Sequence, residues 1–155
     1  MKKYLFLIPV LIAGIDQWIK SWIRTRPEGV AFFRMSGCFE LVPSVNTGAA
    51  FSILRGNNLL LILFSVLLLF LCLYIRKMFR LTIPAQVAFL VLLGGGIGNL
   101  IDRVCFGGVT DYIRLLFIAF PIFNLADIAI TCSVFVLILL LITNRLEESA
   151  GDTHE

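Results

Sequence analysis

The chain has 155 residues, of which 59% are hydrophobic and 15% charged, and its formal net charge is +3. A soluble domain of this size has too little interior to bury so much apolar surface, so lipid must be the solvent for much of the chain. The basic residues form no block typical of nucleic-acid binding, and we expect no nucleic-acid partner.

The cysteines and the single histidine exclude further kinds of site. The four cysteines stand alone with no Cys-x-x-Cys pair, so the sequence predicts neither a disulfide framework nor a zinc site. His154 lies in the polar tail, which removes histidine-dependent nucleophilic triads and most metal-dependent hydrolysis. We expect no cofactor, because the two carboxyl groups discussed below can supply both acid and base.

Four apolar stretches are long enough to cross a hydrocarbon core of roughly 30 Å as helices that rise about 1.5 Å per residue. They are predicted at residues 4–23, 59–75, 81–101 and 125–143. The second and third contain no charge, whereas the first contains Asp16 and Lys20 and the fourth contains Asp127. We predict one integral membrane domain over residues 1–146, followed by a polar cytoplasmic tail at 147–155.

The first stretch begins like a secretory signal but lacks a cleavage site, so we predict an uncleaved helix. Positive charges precede it and crowd the loop after the second stretch, namely Lys2, Lys3, Arg76, Lys77 and Arg80. Positively charged segments favour the cytoplasm, which places both termini there. Residues 24–58 and 102–124 are then predicted to face outward.

The outer segment between the first two helices has its own pattern. Residues 30–42 mix aromatic and charged residues around a Ser36-Gly37 turn, which predicts two short strands forming a hairpin at the membrane surface. Pro43 is predicted to end that pattern, and Asn57-Asn58 to cap the second helix. The predicted fold is an all-α membrane protein with four transmembrane helices and a small extracytoplasmic β-hairpin between helices 1 and 2.

A short set of polar residues lies within the predicted helices or at their ends. Asp16 and Lys20 are four residues apart and share a helical face, and Asn124 and Asp127 are three apart. For Asp16–Lys20 and for Asp102 with its neighbour Arg103, a structural ion pair is the favoured interpretation. The glycines at 94–98 are predicted either to let neighbouring helices pack closely or to serve a site directly.

Asp111 and Asp127 suggest chemistry. A carboxylate near hydrocarbon is expensive to ionise, which makes a function the default interpretation. The nearby positive charges are shared with other carboxylates, so one aspartate is expected to keep its proton. Such a pair is an acid and a base together: the ionised carboxyl takes a proton from water while the other donates to a carbonyl oxygen. This is the chemistry of an aspartic protease.

Three other classes remain open at this point. A small proton-coupled carrier also uses intramembrane acidic and basic residues, although carriers place them near the midplane and no inverted repeat is visible. A non-enzymatic assembly factor held together by its polar cluster is a second alternative. A Ser-Lys peptidase is a third, but Ser21 and Lys20 are adjacent and point apart on a helix.

Five motifs follow one another along the chain. They are Asp16-Gln17…Lys20, residues 46–51 (Asn-Thr-Gly-Ala-Ala-Phe), residues 94–103 (Gly-Gly-Gly-Ile-Gly-Asn-Leu-Ile-Asp-Arg), residues 109–112 (Val-Thr-Asp-Tyr) and residues 123–127 (Phe-Asn-Leu-Ala-Asp). Together they resemble the motifs of the lipoprotein signal peptidases, the bacterial type II signal peptidases. The resemblance covers essentially the whole chain apart from its tail.

The resemblance implies an aspartic endopeptidase of the bacterial inner membrane that cleaves prolipoproteins just before a diacylglyceryl-modified cysteine. Its partners would be the lipid-modified prolipoprotein and membrane lipid, and we expect a monomer. Apolar helices two to four would accommodate the acyl chains and the signal helix. Asp111 and Asp127 match the catalytic pair, with Tyr112 where the family pattern has Phe. The positions that match supporting residues are Asp16, Lys20, Asn46, Gly48, Asn99, Asp102, Arg103 and Asn124.

Overall fold

The structure is a computed structural model that describes residues 4–48 and 56–147. Its elements in chain order are α1 (Leu7–Ile23), β1 (Phe33–Met35), β2 (Phe39–Asn46), α2 (Asn58–Met78), α3 (Ile83–Phe106), β3 (Val109–Leu115) and α4 (Leu125–Ile142). The predicted polar tail from residue 148 and residues 49–51 of the second motif lie outside the described residues.

Each predicted apolar stretch corresponds to a helix. Helices α2, α3 and α4 are long and apolar enough to cross a membrane. Helix α1 has 17 residues and contains Asp16 and Lys20 within its length. Helix α3 continues past the predicted end at residue 101 and stops where Gly107 adopts a left-handed conformation with φ of 75°.

Helix α3 is the central helix and packs against the other three. Its glycines permit this closeness: a Cβ atom built on Gly95 would lie 2.7 Å from the carbonyl oxygen of Ala126 in α4. A Cβ atom on Gly98 would lie 2.5 Å from the Asp16 carboxylate in α1. Close packing therefore accounts for these two glycines. Helix α2 lies at the periphery, and Leu61 is its one buried side chain among the described residues.

The start of α2 differs from the prediction. Asn57 occupies the N-cap position, but its side chain makes no capping hydrogen bond. The Asn58 side chain instead donates from Nδ2 to the carbonyl oxygen of Arg103 at 2.9 Å. The predicted position of the cap is therefore correct, but the Asn57 side chain does not cap the helix and the Asn58 side chain ties α2 to the end of α3.

Strands β1 and β2 form an antiparallel hairpin between α1 and α2, with Gly37 in the turn at φ of 75°. Pro43 does not end the pattern as predicted, because β2 continues to Asn46. The pairing register shifts between Leu41 and Ser44. This irregularity accommodates Pro43, which has no N–H group to donate to a neighbouring strand.

Strand β3 was not predicted, and it completes a three-stranded sheet of order β1-β2-β3. It pairs antiparallel with β2, so that Ser44 lies opposite Asp111 and Asn46 lies opposite Val109. Asp111 therefore lies in a strand that is hydrogen-bonded to β2. This strand lies at the end of the bundle where α3 ends and α4 begins.

At the end of the bundle opposite the sheet, apolar side chains pack together. Leu81, Ala85 and Phe89 form a buried cluster against side chains from α2 and α4, including Cys72 and Leu137. The Thr82 hydroxyl donates to the carbonyl oxygen of Arg145 at 2.9 Å, which ties the start of α3 to the end of α4.

Replacing Gly95 with alanine should destabilise the protein, because the new methyl group would meet α4 backbone at 2.7 Å. Overpacking of this kind typically costs about 1–3 kcal/mol. Gly14→Ala in α1 is the matched control, since nothing lies within 4 Å of its Cβ position. The thermal unfolding midpoint in detergent should fall for Gly95→Ala and hold or rise for Gly14→Ala. Equal midpoints for the two variants would contradict the close α3–α4 contact.

Candidate active site

The predicted site residues come together where the sheet meets the helix bundle. Strand β2 supplies Asn46, β3 supplies Asp111, and the start of α4 supplies Asn124 and Asp127. The remaining predicted residues lie in α1 and α3 or just after β2, and they are Asp16, Lys20, Gly48, Asn99, Asp102 and Arg103. Each of the ten makes at least one contact to another element or to another member of the set, as described below.

Asp111 is a buried carboxyl group, with 3% of its surface exposed. Its Oδ1 accepts a hydrogen bond from Asn124 Nδ2 at 2.7 Å, and its Oδ2 accepts one from Asn46 Nδ2 at 3.0 Å. Burial, followed by the negative charge of Asp127, raises the pKa of Asp111 to about 7, although the two amide donors oppose the rise. Asp111 is therefore expected to be protonated at mildly acidic pH and to lose its proton as pH rises through about 7.

Asp127 is held at the first turn of α4 by a reciprocal cap. Its backbone N–H donates to Asn124 Oδ1 at 3.0 Å, and its Oδ2 accepts from the Asn124 backbone N–H at 3.1 Å. Its Oδ1 accepts from Asn99 Nδ2 at 2.7 Å. Two N–H donors at the positive end of a helix dipole provide an environment that suits a carboxylate.

Two asparagine amides join the carboxyl groups. The Asn124 side chain is fully buried, and its Nδ2 donates to Asn99 Oδ1 at 3.1 Å as well as to Asp111. Its Oδ1 accepts from the backbone of Asp127, so all its hydrogen-bonding groups are used. The Asp111 carboxyl group is thus linked through the Asn124 and Asn99 side chains to Asp127 Oδ1, which accepts from Asn99 Nδ2.

An ion cluster lies directly behind these amides. Lys20 Nζ lies 2.7 Å from Asp16 Oδ2 and 3.4 Å from Asp102 Oδ2, and all three side chains are fully buried. The third Lys20 contact is to Asn99 Oδ1 at 2.8 Å. The ammonium group thus forms ion pairs with two buried carboxylates and donates a hydrogen bond to the Asn99 amide, which contacts Asp127.

Asp102 does not pair with Arg103, so that prediction is wrong. Its ion-pair partners among the described residues are Lys20 and Arg24, and Arg24 Nη2 lies 2.7 Å from Asp102 Oδ1. Adjacent residues of a helix point in different directions, and Arg103 turns toward the cavity instead. Arg24 was not predicted as a site residue, although it lies four residues after Lys20 on the same helical face.

Two backbone contacts connect the ion cluster to the segments that bear the aspartates. The Thr110 N–H donates to Asp102 Oδ2 at 2.8 Å, one residue before Asp111. The Ala126 N–H donates to Asp16 Oδ1 at 3.1 Å, one residue before Asp127. The buried carboxylates therefore position both chain segments.

Tyr112 follows Asp111 in β3, and its hydroxyl group has a structural partner. The oxygen accepts a hydrogen bond from the Leu125 N–H at 3.2 Å, in the first turn of α4. Burial raises the pKa of Tyr112 to about 12, so the phenol stays neutral. The hydroxyl thus ties β3 to the start of α4.

A cavity of about 480 Å³ opens beside the aspartates. Asp111, Asp127 and Arg103 line its polar end, and Arg103 Nη2 donates to the carbonyl oxygen of Gly48 at 3.1 Å. Gly48 donates its own N–H to Asn46 Oδ1 at 3.0 Å. The rest of the wall is mainly apolar, with Leu115, Phe120, Phe123, Ile128 and Ile130. Among the described residues no α2 side chain lines this cavity.

The comparisons with known proteins agree with one another. A family model described as "Signal peptidase (SPase) II" matches residues 8–143. A lipoprotein signal peptidase of Streptococcus thermophilus (strain CNRZ 1066) is 36% identical over 157 residues, covering 99% of this chain and 100% of the relative. One from Dehalococcoides mccartyi (strain CBDB1) is 47% identical over 125 residues, 77% of this chain and 76% of the relative.

A solved structure shares the fold as well. It is described as "Bacterial membrane enzyme structure by the in meso method at 2.3 A resolution", and it superposes with a TM-score of 0.86 and 30% identity. The match covers 99% of this chain and 94% of that one. On the family model, the relatives and the shared fold, the chain belongs to the signal peptidase II family of bacterial membrane proteases.

Proposed function

We propose that this protein is an aspartic endopeptidase that removes the signal peptide from diacylglyceryl-modified prolipoproteins, cleaving just before the lipidated cysteine. The observation that carries the proposal is the pair Asp111 and Asp127, which share Asn124 and line one largely apolar cavity. The relatives named lipoprotein signal peptidases support the substrate class.

The two aspartates divide the acid and base roles. Asp127, as the carboxylate, takes a proton from water, and the water oxygen bonds to the carbonyl carbon while Asp111 gives its proton to the carbonyl oxygen. The proton on Asp127 then passes to the amide nitrogen and the C–N bond breaks. One hydroxyl of the tetrahedral intermediate returns a proton to Asp111, so both aspartates end as they began.

The supporting residues hold this arrangement without reacting. Asn46 and Asn124 fix the two oxygens of Asp111, and Asn99 fixes Asp127. Arg103 lines the same cavity, where its positive charge offsets the negative charge of the aspartates and of the polarised carbonyl oxygen. Donors that are already in place need not reorganise when charge moves during the reaction.

The proposed setting is the bacterial inner membrane, with residues 1–146 as one domain of four transmembrane helices and 147–155 as a cytoplasmic tail. Helices α2 to α4 have the required length and composition, and α1 would be the fourth helix. The basic loop after α2 lies at the opposite end from the aspartates, which supports cytoplasmic termini and an extracytoplasmic active site. The protein would act as a monomer.

A proton-coupled carrier remains the alternative use of the same polar cluster. It is not favoured, because the family is one of proteases and the aspartates lie at the ends of α3 and α4. Carriers place such groups near the membrane midplane.

Asp111→Asn and Asp127→Asn should each lower the cleavage rate by at least roughly 10²–10⁴-fold, because an amide cannot exchange the required proton. The matched control is Glu147→Gln, which removes an exposed carboxylate at the opposite end of the bundle and should leave the rate unchanged. Cleavage of a diacylglyceryl-modified prolipoprotein by purified variants is the measurement, with unfolding midpoints to show that each variant is folded. Appreciable turnover by either asparagine variant would contradict the two-aspartate mechanism.

The pH profile should reveal the proton on Asp111. Since the protonated form is the active one, kcat/KM should fall as pH rises through about 7, the raised pKa of this carboxyl group. Asn46→Ala removes a donor that lowers the pKa of Asp111, so its alkaline limb should move to higher pH. A rate that rises with pH across this range would be inconsistent with Asp111 as the acid.

The lipid on the substrate should set the depth of the scissile bond. Each buried methylene contributes about 0.8 kcal/mol, so two acyl chains can hold the cysteine at the level of the aspartates. We expect the diacylglyceryl-modified precursor to be cleaved far faster than the same precursor with a bare cysteine. Equal rates would show that the lipid plays no part in recognition, while leaving the peptidase chemistry intact.

A further inference from the structure

A second concave surface lies at the end of the bundle opposite the aspartates. It adjoins the C-terminus of α2, and this helix of 21 residues is about 30 Å long. It encloses about 430 Å³ between the end of α2 and the start of α3. Three basic side chains line it, from Arg76, Lys77 and Arg80. The apolar wall is supplied by Leu73 and Phe79, both exposed.

The three positive charges have no described counter-ion. The ion pairs between described residues use Lys20, Arg24, Arg34 and Arg114, and none involves Arg76, Lys77 or Arg80. Glu147 is the nearby acidic residue, and it contacts this end through a backbone bridge to Leu81 rather than through its carboxylate. The surface is therefore strongly positive and unneutralised within the described chain.

The base of the pocket is well held. Leu81 is buried, and its carbonyl oxygen accepts a hydrogen bond from Gln86 Nε2 at 2.7 Å. Thr82 is tied to the end of α4 through its N–H, which donates to the Leu146 carbonyl oxygen at 3.1 Å. The basic side chains thus surround a fixed recess rather than a free loop.

Two ordinary effects account for positive charge here. Cations stabilise the C-terminus of a helix such as α2, and basic residues accumulate in cytoplasmic loops. Neither effect requires a recess, and neither requires exposed apolar side chains beside the charges. A recess that combines positive charge with exposed apolar side chains can bind an anionic lipid headgroup together with its hydrocarbon chains.

We propose that this recess binds the phosphate group of an anionic phospholipid. Arg76, Lys77 and Arg80 contact the phosphate oxygens, while Leu73 and the exposed outer side of α2 contact the acyl chains. The acyl chains distinguish this ligand from free phosphate, because α2 presents almost all of its apolar surface outward. The proposal does not depend on peptidase activity, because the recess is remote from the aspartates.

The test is native mass spectrometry of the full-length protein in detergent, titrated with dioleoylphosphatidylglycerol or dioleoylphosphatidylcholine. The anionic lipid should bind more tightly than the zwitterionic one. Arg76→Gln, Lys77→Gln and Arg80→Gln should each weaken its binding roughly fivefold. Arg145→Gln is the matched control, because it removes an exposed charge at the same end without lining the recess, and it should leave binding unchanged.

Four results would overturn the proposal. The first is equal affinity for the two lipids, and the second is a loss in Arg145→Gln as large as in the recess variants. Complete competition by inorganic phosphate would assign the recess to a free anion. Unchanged lipid binding in all three of the variants Arg76→Gln, Lys77→Gln and Arg80→Gln would place the lipid elsewhere on the protein. Unfolding midpoints measured without lipid should match the wild type, which separates lost binding from lost fold.

Discussion

The buried ammonium group of Lys20 is the constraint on which the rest of the structure depends. It lies fully buried with the carboxylates of Asp16 and Asp102, and charges removed from water in this way must be paired. Removing one partner from such a pair typically costs about 3–5 kcal/mol, because the other charge is left uncompensated. Since Lys20 and Asp16 lie in α1 and Asp102 in α3, the requirement holds these helices in one relative position.

The same cluster positions the proposed chemistry. Asp102 and Asp16 accept backbone N–H groups next to Asp111 and Asp127, so each aspartate follows a residue that the ion cluster holds. Lys20 also contacts the Asn99 amide, which donates to Asp127. The aspartates lie at the edge of this network beside an apolar cavity, where one is buried enough to keep a proton. The structural ions and the proposed reacting groups are thus separate sets that are joined by amides.

Periodicity and composition were enough to predict the four helices, because a long apolar segment has few alternatives in lipid. The i,i+4 pair of α1 was predicted for the same local reason and is present in the structure. Strand β3 could not be predicted locally, because its partner β2 lies more than sixty residues away and supplies the pairing. The roles of Arg24 and of the Tyr112 hydroxyl were missed because both depend on contacts between distant segments.

The central claim is that Asp111 carries the proton of the pair. Infrared difference spectroscopy during a pH titration tests it directly, since a protonated carboxyl group has its own carbonyl band. One such band should disappear as pH rises through about 7, and it should be missing from Asp111→Asn. A band that persists in Asp111→Asn, or the absence of any carboxyl group titrating near neutral pH, would contradict it.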